Sequence, residues 1–318
     1  MQNSTVVFQL NISNKLGFCA STSRPNAKPQ NVSTNFMKTR ITTILTTIIL
    51  TVSTVYGQTY EPLDLAKKIF AKDSLSNLDN YITGEYKGRP NGQDLQSGTT
   101  TNFTLLGQTE KTAVVGMTIL DSLGKGLDTY LHFEKDTVWK MSAFRALAMT
   151  GIIEQVKIEL EKMTLQQVDE VIAKSKKEKK DDFAMFTSRD DYYFQLGNTK
   201  LTLELDDKIA EHFVTNQKEF ERLKNLALTQ LEKEKVDEER SLKLIENLKP
   251  DYQKLFISSV STGGYELGNC INFLIGGMVD NSVGYIYVKD KKDLPEMNPS
   301  RIIMIREIGN GWYIYKTT

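Results

Sequence analysis

The run Asp128-Thr129-Tyr130-Leu131-His132-Phe133-Glu134 gathers the chain's most versatile side chains into one short segment. Strand alternation puts Asp128, Tyr130, His132 and Glu134 on one face and Leu131 and Phe133 on the other. A histidine beside two carboxylates and a tyrosine has the groups needed for general-base catalysis or for binding a metal. The competing expectation is a solvated polar face, as carried by a sheet that meets water on one side. His212 follows Glu211 and precedes Phe213, with no second histidine one helical turn away, so zinc ligation is poorly supported and no metal is expected. Arg145 shares a strand face with Trp139 and Met141. It is either a clamp for a ligand carboxylate or a rim residue whose stem covers the sheet end, and the second reading is favoured.

No other motif rises above these. The aspartate pairs 181/182, 190/191 and 206/207 fall at turns or helix caps and fit no calcium loop. No nucleophile elbow, zinc-protease motif, phosphate loop or dinucleotide fingerprint occurs, so no cofactor is expected. The catalytic candidates are therefore His132, Asp128 and Glu134, each as a weak candidate only.

The elements that must position these groups follow from periodicity. Helical spacing predicts an amphipathic helix over 62–82, entered at Pro62 and stopped at Gly84. Four strands are predicted over 100–106, 113–120, 127–134 and 138–147, joined by short turns, which implies an antiparallel meander. Residues 152–180 read as helix, ending in the run Lys174-Ser-Lys-Lys-Glu-Lys-Lys180, a solvated charge run rather than a polyanion site. A hairpin is predicted over 191–205 across Gly197-Asn198-Thr199. Asp206 or Asp207 caps a long helix over 206–236 with the apolar stripe Ile209, Phe213, Phe220, Leu223, Ala227 and Leu231. Closing strands are predicted over 253–260, 269–275, 283–289, 301–308 and 311–316.

The two strand blocks also look alike. Asn102-Phe103 with Gly107 resembles Asn272-Phe273 with Gly276, Val115-Gly116 resembles Val283-Gly284, and the chain's two tryptophans, Trp139 and Trp312, fall at matching places. The spacing suggests a duplicated helix-plus-sheet unit, with Gly116, Gly284, Trp139 and Trp312 as its markers. Each tryptophan is expected on the final strand of its sheet, facing the helix.

In element order these units resemble the cystatin-like and NTF2-like α+β folds, as found in exported proteins of Gram-negative bacteria. The resemblance implies an α+β protein of two helix-plus-antiparallel-meander units, 58–150 and 181–318, joined by a helical segment, 151–180. It transfers no functional residue, and the Gln-x-Val-x-Gly loop of cystatins is absent. A cystatin-like fold implies a binding surface; an NTF2-like fold implies a cone able to hold a ligand or a catalytic acid.

The chain has 318 residues, of which 40% are hydrophobic and 25% charged, a mixture with ample material for a core. The first 57 residues hold five of the 40 basic side chains and none of the 40 acidic ones, leaving residues 58–318 near −5. That charge argues against a nucleic-acid partner. Met37-Lys38-Thr39-Arg40, a Thr-rich apolar stretch over 41–55 and Val55-Tyr56-Gly57-Gln58 have the order of a signal peptide cleaved between Gly57 and Gln58. The apolar stretch is short for a spanning helix. Residues 1–36 read as a disordered prefix upstream of a true start at Met37. Of the two cysteines only Cys270 survives cleavage, so no disulfide framework is expected.

These features point to a periplasmic or secreted, non-catalytic binding or interaction protein, taking a small hydrophobic ligand or an envelope protein. The alternative is an NTF2-like hydrolase or isomerase using a pocket carboxylate or histidine. Polar groups converging in one cavity, either His132 or two carboxylates, would favour the enzyme.

Overall fold

Apolar residues alternating along short segments, punctuated by Gly, Asn and Asp, build two antiparallel sheets in a mixed α+β fold. The computed structural model describes residues 59–73, 75–176, 185–233 and 241–318. The expectations for 1–36, the signal segment 37–57 with Gln58, the end of the charge run and the end of the helix beyond 233 lie outside them. Residues 57–318 pack as one compact unit.

The first sheet has the order β1 (Thr100–Gln108), β2 (Thr112–Leu120), β3 (Gly126–Lys135), β4 (Trp139–Arg145), the meander expected. Helix α1 (Pro62–Ile69) lays Leu65, Ala66 and Ile69 against Val115, Met117, Leu131, Phe133, Trp139 and Met141. It is much shorter than the predicted 62–82. Polar turn formers follow at once, Asn77 takes a left-handed backbone, and Leu78–Tyr81 forms only a 3-10 turn. The opposite face of the sheet is covered as well: Val114 and Tyr130 belong to the large core that the second half builds. This corrects the solvated-face expectation for Asp128, Tyr130 and His132.

Between the sheets, Thr164 caps a new helix through a reciprocal bond with Gln167, splitting the predicted 152–180 into α2 (Thr150–Lys162) and α3 (Leu165–Ser175). The hairpin predicted over 191–205 is instead a helix, α4 (Arg189–Thr202), with Ser188 accepting from the Asp191 N–H at its start. Gly197 is a close-approach residue there: a Cβ would sit 2.0 Å from the Phe256 ring. The predicted long helix breaks at Asn216 into α5 (Asp206–Thr215) and α6 (Gln217–Leu231), with the Asn216 amide donating back to the His212 carbonyl at 2.9 Å. The apolar stripe continues across the break, and Ile209, Phe213, Phe220, Leu223 and Ala227 are all buried. The predicted strand 253–260 begins with a helical turn, Lys249–Gln253, and pairs only over β5 (Ser259–Thr262).

The second sheet adds β6 (Ile271–Met278), β7 (Asn281–Tyr287), β8 (Ile302–Gly309) and β9 (Trp312–Thr317) in the order β5-β6-β7-β9-β8. Its first two long strands repeat the pairing of the first sheet. Gly116 pairs with Thr104, and Gly284 with Leu274, each partner directly after a phenylalanine and each followed by a register shift before Gly107 or Gly276. Beyond that the likeness ends. The short turn 121–125 forces β3 beside β2, whereas the long segment 288–301 lets the chain pass to the sheet edge as β8 and return as interior strand β9. Trp139 therefore opens an edge strand and Trp312 an interior one. Both are buried, on α1 and on α5–α6 respectively, but they are not equivalent positions.

Candidate functional site

The start of α5 docks on the first sheet through side chains the sequence places far apart. Leu205 stands at the N-cap position and offers no capping oxygen, so Asp128 of β3 supplies one: its Oδ2 accepts from the Asp206 N–H at 2.6 Å. Thr118 Oγ1 donates to the other oxygen of Asp128 at 2.5 Å. The Tyr130 hydroxyl donates to both oxygens of Asp206, at 3.1 and 3.0 Å. Lys316 of β9 closes the cluster, with Nζ 2.8 Å from Asp206 Oδ1 and 5.6 Å from the centre of the Tyr130 ring.

This cluster is sealed from water, and its protonation follows from that. Burial, and then the charge of Asp206, raise the Asp128 pKa above the usual carboxylate value, against the opposing pull of Lys316 and the Thr118 and backbone hydrogen bonds. Burial and the two carboxylates push the Tyr130 phenol well above its usual range, so it stays a donor. Asp128, Asp206, Thr118 and Tyr130 line a cavity of about 130 Å³, and Arg306 at its rim pairs with the exposed Asp207 at 2.6 Å. Asp128→Ala is expected to cost about 1–3 kcal/mol in a urea titration, because the α5 cap is lost and the Asp206 N–H is buried without a partner. A wild-type midpoint for this variant would sink that account of the cap.

The other candidates are dispersed. His132 is buried beyond the cluster, and its Nε2 has no hydrogen-bond partner. Burial first and then the charge of Arg145 push its pKa down to about 4, against a backbone hydrogen bond with Ile303, so it is neutral at pH 7. Glu134 is exposed at the strand end. Alternation thus does not bring His132 and Glu134 into one reactive group with Asp128. Arg145 turns to its own chain, with Nε donating to the Pro299 carbonyl at 2.6 Å and Nη2 pairing with Glu85, so its rim role stands and no clamp is formed. Cys270 is buried, and burial and Asp293 push its thiol up to about 12.

A second concavity, a groove of about 410 Å³, lies along α4 and α5 and is walled by Tyr193, Leu196, Gly197, Leu201, His212 and Phe256. Phe256 holds a left-handed backbone, φ 57°, fixed by Asn198, whose amide donates to the Phe256 carbonyl at 2.8 Å. Burial lowers the His212 pKa, leaving its ring neutral and edge-on to Phe256.

Periodicity missed Asp206 and Lys316 as partners. Asp206 reads as a cap of its own helix, when it is in fact capped by Asp128. Lys316 carried a usable signal, since it falls on the face of Trp312 and Ile314, where a lysine must be paired if it is buried.

The chain is thus a mixed α+β protein with two antiparallel sheets, a buried ionic cluster between the first sheet and α5, and an open apolar groove. No known protein family, curated protein or solved structure matches it. Among the described residues, no helix is long and apolar enough to cross a membrane, and no group of His, Cys, Asp or Glu is arranged to hold a metal ion.

Proposed function

We propose that the protein is an exported, non-catalytic binding protein that takes a small apolar molecule in the groove between α4, α5 and Phe256. The observation that carries this reading is the groove itself. Its volume of about 410 Å³ is within the range of small-molecule sites, and its walls are mainly aliphatic and aromatic. The signal-peptide pattern at Met37–Gly57 supplies the export half. The packing of α1 across an antiparallel meander supports a cystatin-like/NTF2-like first half, from which the crossed second sheet departs.

Two arms test the proposal. Protein recovered from the envelope of a Gram-negative host should begin at Gln58. The full mature chain should bind the neutral fluorophore phenylnaphthylamine at one site, about tenfold more weakly after Tyr193→Asp, which puts a charge on the half-exposed groove wall. A chain that keeps residues 1–36, or a variant that binds as well as wild type, would count against it.

One observation favours a second reading, an NTF2-like hydrolase or isomerase: two carboxylates, Asp128 and Asp206, line one cavity. It ranks second because about 130 Å³ is below the usual size of a substrate site and both carboxylates already bond to the protein. An activity lost in folded Asp128→Asn protein would raise it to first.

A further inference from the structure

We propose that Lys316 and Asp206 join covalently, the folded chain forming an amide between Nζ of Lys316 and Cγ of Asp206 with release of one water. The two side chains are 5% and 9% exposed, and Nζ lies 2.8 Å from Oδ1, one bond from the carbon it would attack. In water such a pair stays ionic. In a sealed site neither charge is solvated, so moving one proton from the ammonium to the carboxylate gives the neutral amine and carboxylic acid, which are the reacting forms. The fold holds them in contact, replacing a bimolecular encounter with a positioned one.

The neighbours supply the remaining chemistry. The Tyr130 hydroxyl donates to both Asp206 oxygens, where negative charge develops when nitrogen adds to the carbonyl carbon. Asp128 is a second buried acid, bonded to the backbone N–H of Asp206 itself. Its raised pKa suits it to hold a proton at neutral pH and return it. In the step, the C–N bond forms, Asp128 gives its proton to the departing hydroxyl, and the C–O bond breaks. The proton leaving nitrogen then restores Asp128. The products are one amide and one water, and no oxidant or other reactant is consumed. The bond ties the first residue of α5 to β9, a strand inside the second sheet, and so closes a long loop of the chain.

Tryptic digestion of the folded full chain, followed by mass spectrometry, tests this directly. An intact Lys316 side chain lets trypsin release residues 201–208 and 307–316 separately. The amide blocks cleavage after Lys316 and joins 201–208 to 307–318 in one species, lighter than the two peptides by one water. That species is expected in wild type and absent from Lys316→Arg. Asp128→Asn, shown folded by circular dichroism, is expected to form it at least about tenfold more slowly. Release of 201–208 alone at its unmodified mass from folded wild-type protein overturns the proposal. Formation at the wild-type rate in Asp128→Asn overturns the relay assigned to Asp128.

Discussion

Trp312→Ala is expected to lower the unfolding free energy by about 3–5 kcal/mol, the range for deleting a large aromatic from a packed core. Trp312 is fully buried, with ring centres 5.0 Å from Phe213, 5.1 Å from Phe273, 5.5 Å from Tyr287 and 5.9 Å from Phe220. Its indole Nε1 donates to Glu221 Oε1 at 2.7 Å. The substitution therefore opens a cavity between α5, α6 and the second sheet and also leaves Glu221 without its donor. Each kcal/mol should lower the thermal midpoint by about 2–4 °C in a chain of this size. Trp139→Ala is expected to cost less. Its indole N–H has no partner to lose, and it opens the edge strand β4, where neighbours can close in. Guanidinium titrations of both variants check the ranking. A loss below about 1 kcal/mol at Trp312 would mean that the aromatic cluster does not organise the second core.

Lys316→Met is expected to destabilise by about 3–5 kcal/mol at neutral pH, because it leaves Asp206 beside Asp128 with no cation between them. The pH dependence follows from Asp128. Its folded pKa is raised, so the folded state keeps a proton that the unfolded chain releases near 3.8. The stability this proton provides is present below the unfolded value and is lost as pH rises through the folded one. Lys316 is one of the groups that hold the Asp128 pKa down. Removing it raises that value further and widens the window of loss. The deficit of Lys316→Met should therefore be smaller at pH 4 than at pH 7 in paired urea titrations. The same deficit at both values would show that the lysine contributes packing and not charge.

Strands were the most legible part of the sequence. Alternation in the run Asp128–Glu134 and in the segments around it marked β1 to β4, and tight turns rich in Gly and Asp left adjacent antiparallel pairing as the only economical connection. Helix type was legible where a full apolar stripe runs, as from Ile209 to Ala227. Helix ends were not: Thr164 and Asn216 break helices by bonding back to nearby backbone groups, and side chains of that kind are common inside unbroken segments. The segment 191–205 failed for a further reason. Short runs with a central glycine fit either period, and it was the Phe256 ring, from a distant part of the chain, that filled the space above Gly197.

The sequence by itself determined the local choices: an acid-free leader pattern, two sets of strands, apolar helix faces, and a polar strand face carrying Asp128, Tyr130 and His132. It did so because periodicity and turn chemistry act within a few residues. Only the tertiary structure decided what that polar face meets. Asp128 lies 78 residues from the N–H it caps, and Tyr130 lies 76 from the carboxylate it bonds. Tertiary structure also decided that β8 passes outside β9, which parts Trp139 from Trp312. In each case the partner was selected by burial: once the sheet face was covered, every polar group on it had to find a distant complement or shift its pKa, and nothing in the local pattern encodes which complement that is.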